Sequence, residues 1–174
     1  MKIVKQFLKE GVNKKDIFEK AMDEGLNSKR VSKYLAKRPD VEEAKKYEKA
    51  NYILIGIYAV TVLLGLLNVI PLFKELSLPA ALGLLAFSLL IPAALIYAIF
   101  IKDPVGYFVL AFLFIRGVLL SFSNLEVDPV GAGIDIAVSI GLVIYIVILK
   151  GKLFPYQSFF HTKKADDGTT VFTK

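Results

Sequence analysis

The chain has 174 residues, of which 55% are hydrophobic and 22% are charged, and its net charge is +6. It contains no cysteine and one histidine, so disulfides, thiolate metal sites and a histidine pair for zinc or di-iron are excluded within it. Residues 1–51 carry 14 basic and 9 acidic side chains, whereas residues 52–149 carry only eight charges over 98 positions. This segregation is typical of a membrane protein with a polar head, and it leaves most kinds of enzyme without support.

A ten-residue pattern occurs twice in the head, at residues 8–17 and again at 22–31. In each copy a glycine, Gly11 or Gly25, suits the left-handed position that follows a helix, and an asparagine two residues later suits the next N-cap. Apolar residues recur three and four positions apart, as amphipathic helices require. The head is therefore predicted to be about three short helices around a small core. The predicted core residues are Ile3, Val4, Phe7, Leu8, Ile17, Phe18, Ala21, Met22, Val31, Tyr34 and Leu35.

Basic residues are concentrated on the third predicted helix and just after it. They are Lys29, Arg30, Lys33, Lys37 and Arg38. Such a surface suits anionic lipid headgroups, a protein partner or nucleic-acid phosphates. Three short helices with tight turns also occur in helix-turn-helix DNA-binding domains, but the likeness is generic and the nine acidic residues of the head disfavour nucleic acid. We expect a solvated or lipid-facing surface, together with a protein partner bound through residues 1–50.

A charged segment connects the head to the apolar region. Asp40 and Glu43 have the spacing of a capping box, which predicts a helix from Val41 to about Ala50. We expect this helix to continue without a break into the first apolar run.

Four apolar runs follow, each long enough to cross a hydrocarbon layer of about 30 Å. They are residues 52–73, 76–101, 104–122 and 129–149. The predicted fold is therefore an all-α polytopic membrane protein with four transmembrane helices and a small cytoplasmic N-terminal helical domain.

The predicted domains are the head (1–50), the membrane domain (51–150) and a tail (151–174). Four spans place both chain ends on one side of the membrane. That side would hold 20 Lys and Arg residues, the sum of 14 in the head, Lys102 and five in the tail, whereas the other side would hold Lys74 alone. The excess of basic residues predicts cytoplasmic termini, in a plasma membrane or a bacterial inner membrane.

The third and fourth runs open with the same tetrapeptide, Asp-Pro-Val-Gly, at residues 103–106 and 128–131. Aspartate can accept hydrogen bonds from the free N–H groups of a first helical turn, and proline suits the first helical position. Helix initiation explains both copies better than a duplicated span, because the residues that follow do not match.

Two opposite charges lie inside the apolar runs, Arg116 in the third and Asp135 in the fourth. Charged residues within spans usually have a partner. Both are equidistant from 125.5, the midpoint of the connecting loop at residues 123–128, so they are predicted to share one depth and form an ion pair. We favour a structural role for this pair, and the alternative is a transport or switching site.

Smaller features accompany the charges. Asn68, Ser121 and Ser139 could extend a polar cluster. A stripe of small residues, Gly133, Ala137 and Gly141, allows close helix approach within one chain or in a homo-oligomer.

The tail combines lysines and aromatic residues directly after the last span, which suits the bilayer interface. A small hairpin from Phe159 to Phe172 and a disordered tail are the two alternatives.

We predict no catalytic residues, no metal site and no cofactor. The preferred function is a membrane-embedded interaction or regulatory protein with a cytoplasmic recognition domain. The alternative is a small transporter or channel that uses Arg116 and Asp135.

Overall fold

The computed structural model describes residues 1–39, 41–71, 76–157 and 172, and it is all-helical. Its eight helices are α1 (Lys2–Lys9), α2 (Lys14–Asp23), α3 (Ser28–Ala36), α4 (Val41–Lys46), α5 (Glu48–Val69), α6 (Leu78–Phe100), α7 (Pro104–Ser123) and α8 (Pro129–Leu153). The chain divides into two compact units, one of residues 1–47 with 148–174 and one of residues 48–147. The predicted cap Asp40, Lys74 and most of the proposed tail hairpin lie outside the described residues.

The first unit begins with α1, α2 and α3, and α2 packs against both of the others. The two glycines that end α1 and α2 have positive φ angles, 74° at Gly11 and 71° at Gly25, as predicted. The Asn13 and Asn27 side chains accept hydrogen bonds from the N–H groups of Lys15 and Arg30. Local sequence signals therefore set the helix boundaries of the head, and these predictions are confirmed.

The core of this unit contains two side chains from the far end of the sequence. The predicted residues Val4, Ile17, Phe18 and others are buried or partly buried together, as expected. Phe172, however, lies among them with 1% of its surface exposed, and its ring centroid is 5.9 Å from that of Phe18. Tyr156 packs against Phe172 at 4.8 Å between ring centroids. Both chain ends therefore contribute to one hydrophobic core.

The junction between α4 and α5 differs from the uninterrupted helix that the sequence predicted. A single turn residue, Tyr47, separates α4 from α5. The N–H of Tyr47 still donates to the carbonyl of Glu43 at 3.0 Å. The two helices therefore follow one another with a one-residue break.

The second unit holds helices that are long and apolar enough to cross a membrane, and four such helices occur in the described chain. They are Glu48–Leu67, Leu78–Phe100, Pro104–Ser123 and Pro129–Leu153. The four predicted spans are thus present, with shifted ends. Pro92 lies inside α6, which continues on both sides of it. Helix α6 packs against both α5 and α7.

A tight turn joins α6 to α7 and brings their ends into close contact. Lys102 adopts the left-handed conformation (φ 56°), and the N–H of Asp103 donates to the carbonyl of Ala98 at 2.8 Å, which closes α6 with a Schellman motif. Asp103 then caps α7 by accepting from the N–H of Val105. A Cβ on Gly106 would lie 2.8 Å from the Cβ of Ala98, so only glycine permits this approach of α7 to α6.

The second copy of the tetrapeptide also begins a helix. Asp128 Oδ1 accepts a hydrogen bond from the N–H of Gly131 at 2.9 Å, and α8 starts at Pro129. A Cβ on Gly131 would lie 2.1 Å from Asp128 Oδ2, a flexible side-chain atom rather than another helix. Helix initiation therefore explains both copies, but the two glycines accommodate different neighbours.

Candidate functional site

The two charges predicted to pair within the membrane are not brought together. In the described part of the chain no ion pair joins Arg116 to Asp135, and both side chains are exposed. One contact between α7 and α8 indicates their register: the position of a Cβ on Gly117 lies 3.8 Å from Ser139 Oγ. The mean of 117 and 139 is 128 rather than 125.5. The residue opposite Arg116 is then near 140, about 7.5 Å along the axis from Asp135 at about 1.5 Å per residue.

The two charged residues also differ in their position relative to the buried face of their own helix. With 3.6 residues per turn, Arg116 lies about 150° from the centre of the buried face of α7, which includes Gly106, Tyr107 and Leu110. Asp135 lies within about 10° of the centre of the α8 face that contains Leu142 and Ile146. Counting residues from the loop gives the depth of a side chain but not its rotation about the helix axis. An ion pair formed in lipid stays a prediction.

The accompanying polar residues are placed as follows. Ser121 follows the Gly117 contact by one turn, and Asp135 precedes Ser139 by one turn, so both lie on the loop side of that contact. Asp135 borders a cavity of about 350 Å³ next to the α7–α8 loop. Asn68 lies in α5, and its side chain is outside the described part of the structure.

The small-residue stripe lies on the outer side of α8. Gly133, Ala137 and Gly141 are exposed, and nothing lies within 4 Å of a Cβ added to either glycine. The stripe is thus not used for packing within the described part of this chain. A homo-oligomer through it stays a prediction.

A buried polar cluster, which the sequence analysis missed, joins the spans at one end. Asn51 (2% exposed) donates from Nδ2 to the carbonyl of Ile99 at 3.1 Å, and the Tyr107 hydroxyl (0% exposed) donates to Asn51 Oδ1. The Tyr145 hydroxyl donates to the carbonyl of Ala50 at 2.9 Å. We call Asn51, Tyr107 and Tyr145 the head-side cluster, because Asn51 lies at the start of α5, directly after the head in sequence.

The head-side cluster ties four helices together with satisfied hydrogen bonds. Buried polar groups are costly without partners and specify one arrangement when they have them. A sequence signal for it exists, because Asn51 and Tyr107 lie near the starts of the first and third apolar runs and Tyr145 lies near the end of the fourth. These three side chains are uncharged, so the charges within the spans did not point to them.

The first unit contains a cavity of about 310 Å³ at the start of α2 and α4. We call it the head cleft. Its lining is mixed, with apolar side chains, the basic Lys14 and two acidic residues. The lining residues are Leu8, Gly11, Val12, Asn13, Lys14, Pro39, Val41, Glu42, Glu43 and Tyr156.

Lys14 is held in place within the head cleft. Its side chain is only 4% exposed, and Nζ donates to the carbonyl of Arg38 at 2.5 Å. The same ammonium lies 5.3 Å from the ring centroid of Tyr156, within range of a cation–π interaction. A residue from the C-terminal part of the chain thus helps to form the cleft.

The five basic residues predicted as a surface are all exposed. Arg38 lies over the Tyr34 ring, with the guanidinium carbon 5.5 Å from the ring centroid.

The described residues contain no group of three or more His, Cys, Asp or Glu side chains that could hold a metal ion. No protein-family model, curated protein or solved structure matches the chain.

Proposed function

We propose that this chain is a membrane-embedded interaction or regulatory protein, whose head binds a protein partner on the cytoplasmic side. Four spans would anchor it, with both chain ends in the cytoplasm. The observation that carries this proposal is the first unit, in which residues from both ends of the sequence build one core and one cleft. We assign the head a role in binding and no role in catalysis.

The composition of the head cleft supports recognition of a protein segment. Val41 is 49% exposed at the cleft edge, which is unusual for the head, where most large apolar side chains are buried or half-buried. Acidic Glu42 and Glu43 stand beside it. An apolar contact flanked by carboxylates suits a partner segment that combines an apolar side chain with basic residues.

The polar groups of the spans give less support to transport. Two of the buried ones, Asn51 and Tyr107, are bonded to one another and to a backbone carbonyl at one end of the bundle. Arg116 and Asp135 lie on different helix faces, as described above. A transport pathway needs polar groups that line a common route across the membrane, so the transporter remains the second candidate.

The test is purification of the full chain in mild detergent after crosslinking in cells. We expect one protein partner in a fixed ratio to the wild-type chain. Glu42→Arg reverses a charge at the cleft and should abolish its recovery, whereas the matched change Glu19→Arg, on an exposed position of α2, should not. Equal recovery with both variants would reject the cleft as the binding site. An isolated chain that moves ions or solutes in liposomes would favour transport instead.

A further inference from the structure

We infer that the exposed face of α3 binds the anionic headgroups of the bilayer in which the chain is anchored. This face is defined by Lys29, Arg30, Lys33 and Lys37. The inference relies on the proposed function only for membrane anchorage. It concerns a surface separate from the head cleft, because none of these four residues lines that cleft.

The basic residues form one continuous strip. Val31, Ser32, Leu35 and Ala36 are the buried residues of α3. At 3.6 residues per turn, the four basic residues fall within an arc of about 100° on the opposite side of the helix, over about 12 Å of its length. The structure thus turns four positive charges outward together, and all four are exposed.

Within residues 25–39, no acidic residue interrupts this strip in the sequence. From residue 25 to residue 39 the chain has five basic residues and no acidic one. In α2, by contrast, Asp16, Glu19 and Asp23 balance Lys14, Lys15 and Lys20. The basic residues of this segment are therefore not balanced by acidic residues of the same segment. Successive basic residues along the strip are at most four positions apart, about 6 Å along the helix axis, which is within the Debye length of about 8 Å at physiological salt.

A lipid surface fits this strip better than the other anionic partners. The head is tethered to spans, and only nine residues separate Arg38 from Glu48, so extended chain of about 3.5 Å per residue keeps α3 within about 35 Å of the start of α5. Tethering gives a high effective concentration, so weak contacts suffice. Exposed Lys and Arg side chains suit electrostatic attraction to a charged lipid surface.

The test uses the full chain in lipid nanodiscs with one fluorescent label. Since the chain has no cysteine, Arg30→Cys gives a single labelling site on the α3 face, common to all samples. The readout is quenching by acrylamide, which is uncharged. In nanodiscs of phosphatidylcholine with phosphatidylglycerol we expect quenching about twofold weaker than in phosphatidylcholine alone, and the difference should vanish at about 1 M salt, where the Debye length is about 3 Å.

Two triple variants separate this face from the general charge of the head. The first variant replaces three lysines with glutamine, at Lys29, Lys33 and Lys37. It should remove the difference in quenching between the two lipid compositions. The matched change of Lys2, Lys5 and Lys15, which are also exposed, should leave it intact. Equal quenching in both lipids, or loss of the difference in both variants, would overturn the inference. Salt-sensitive binding of duplex DNA in neutral nanodiscs, lost only in the α3 variant, would overturn it in favour of nucleic acid. Failure here leaves the cleft test of the proposed function unaffected.

Discussion

Replacing Gly106 with alanine should destabilise the membrane unit, because it forces α6 and α7 apart. A Cβ at this position would lie 2.8 Å from Ala98 Cβ and 3.3 Å from two backbone atoms of α6, whereas ordinary contacts begin at 3.4 Å. The shortest contact must therefore lengthen by at least 0.6 Å, the difference between 3.4 and 2.8 Å. None of the three opposing atoms can rotate away, so the helices themselves must move.

The loss of stability in Gly106→Ala has two sources, overpacking between the helices and disturbance of the head-side cluster. Inserting a methyl group into a packed interface costs about 1–3 kcal/mol. Displacing the carbonyl of Ile99 also weakens the hydrogen bond from Asn51, worth about 0.5–1.5 kcal/mol. The better helix propensity of alanine returns up to about 1 kcal/mol. We expect a net loss of about 1–3 kcal/mol, which lowers the melting temperature by about 2–12 °C at roughly 2–4 °C per kcal/mol.

The assay is size-exclusion chromatography of the full chain in mild detergent after heating, with two matched glycines as controls. Gly131→Ala meets only the Asp128 carboxylate, so its cost should be limited to the helix cap, about 0.5–2 kcal/mol. Gly133→Ala meets nothing within 4 Å and should stabilise α8 slightly. A Gly106→Ala protein as stable as Gly133→Ala would refute the close packing of α6 and α7.

Three further substitutions test other parts of the structure. Phe172→Ala should destabilise the first unit by about 3–5 kcal/mol in chemical denaturation followed by circular dichroism, since Phe172 is in the core. Val41→Ala, at an exposed position, should change the stability little in the same assay. Equal effects of the two substitutions would show that Phe172 is not in the core. Arg116→Leu and Asp135→Leu should have additive effects on thermal stability, because the structure separates them, and a coupling above about 1 kcal/mol would instead support the ion pair. Lys102→Gly should raise stability by about 1 kcal/mol by relieving a left-handed non-glycine residue, and a lower melting temperature would contradict the Schellman motif at that turn.

Features governed by neighbouring residues were predictable from the sequence. Glycines that end helices, asparagines that begin them and the Asp-Pro pairs at α7 and α8 act over a few positions, so composition and spacing sufficed. The four spans were equally accessible, because length and hydropathy alone decide them.

Features that depend on how helices turn toward one another were not predictable in the same way. Hairpin symmetry placed Arg116 and Asp135 at one depth, but the rotation of each helix is set by contacts such as Gly106 with Ala98. Phe172 packs in the core of the head against residues that lie more than 130 positions away in sequence, such as Leu35 and Val31. No local sequence pattern predicts such a contact. The head-side cluster likewise depends on hydrogen bonds between distant residues. The bonded partners are 48 positions apart in one case and 56 positions apart in another.

We propose a membrane protein whose head and both chain ends lie in the cytoplasm. Because the chain lacks cysteine, single cysteines at exposed Glu19, Glu126 and Lys152 can each be labelled alone. A maleimide that cannot cross membranes should label Glu126→Cys in intact cells, and label Glu19→Cys and Lys152→Cys only after permeabilisation. Labelling of Glu19→Cys in intact cells, or opposite results for Glu19→Cys and Lys152→Cys, would contradict the topology.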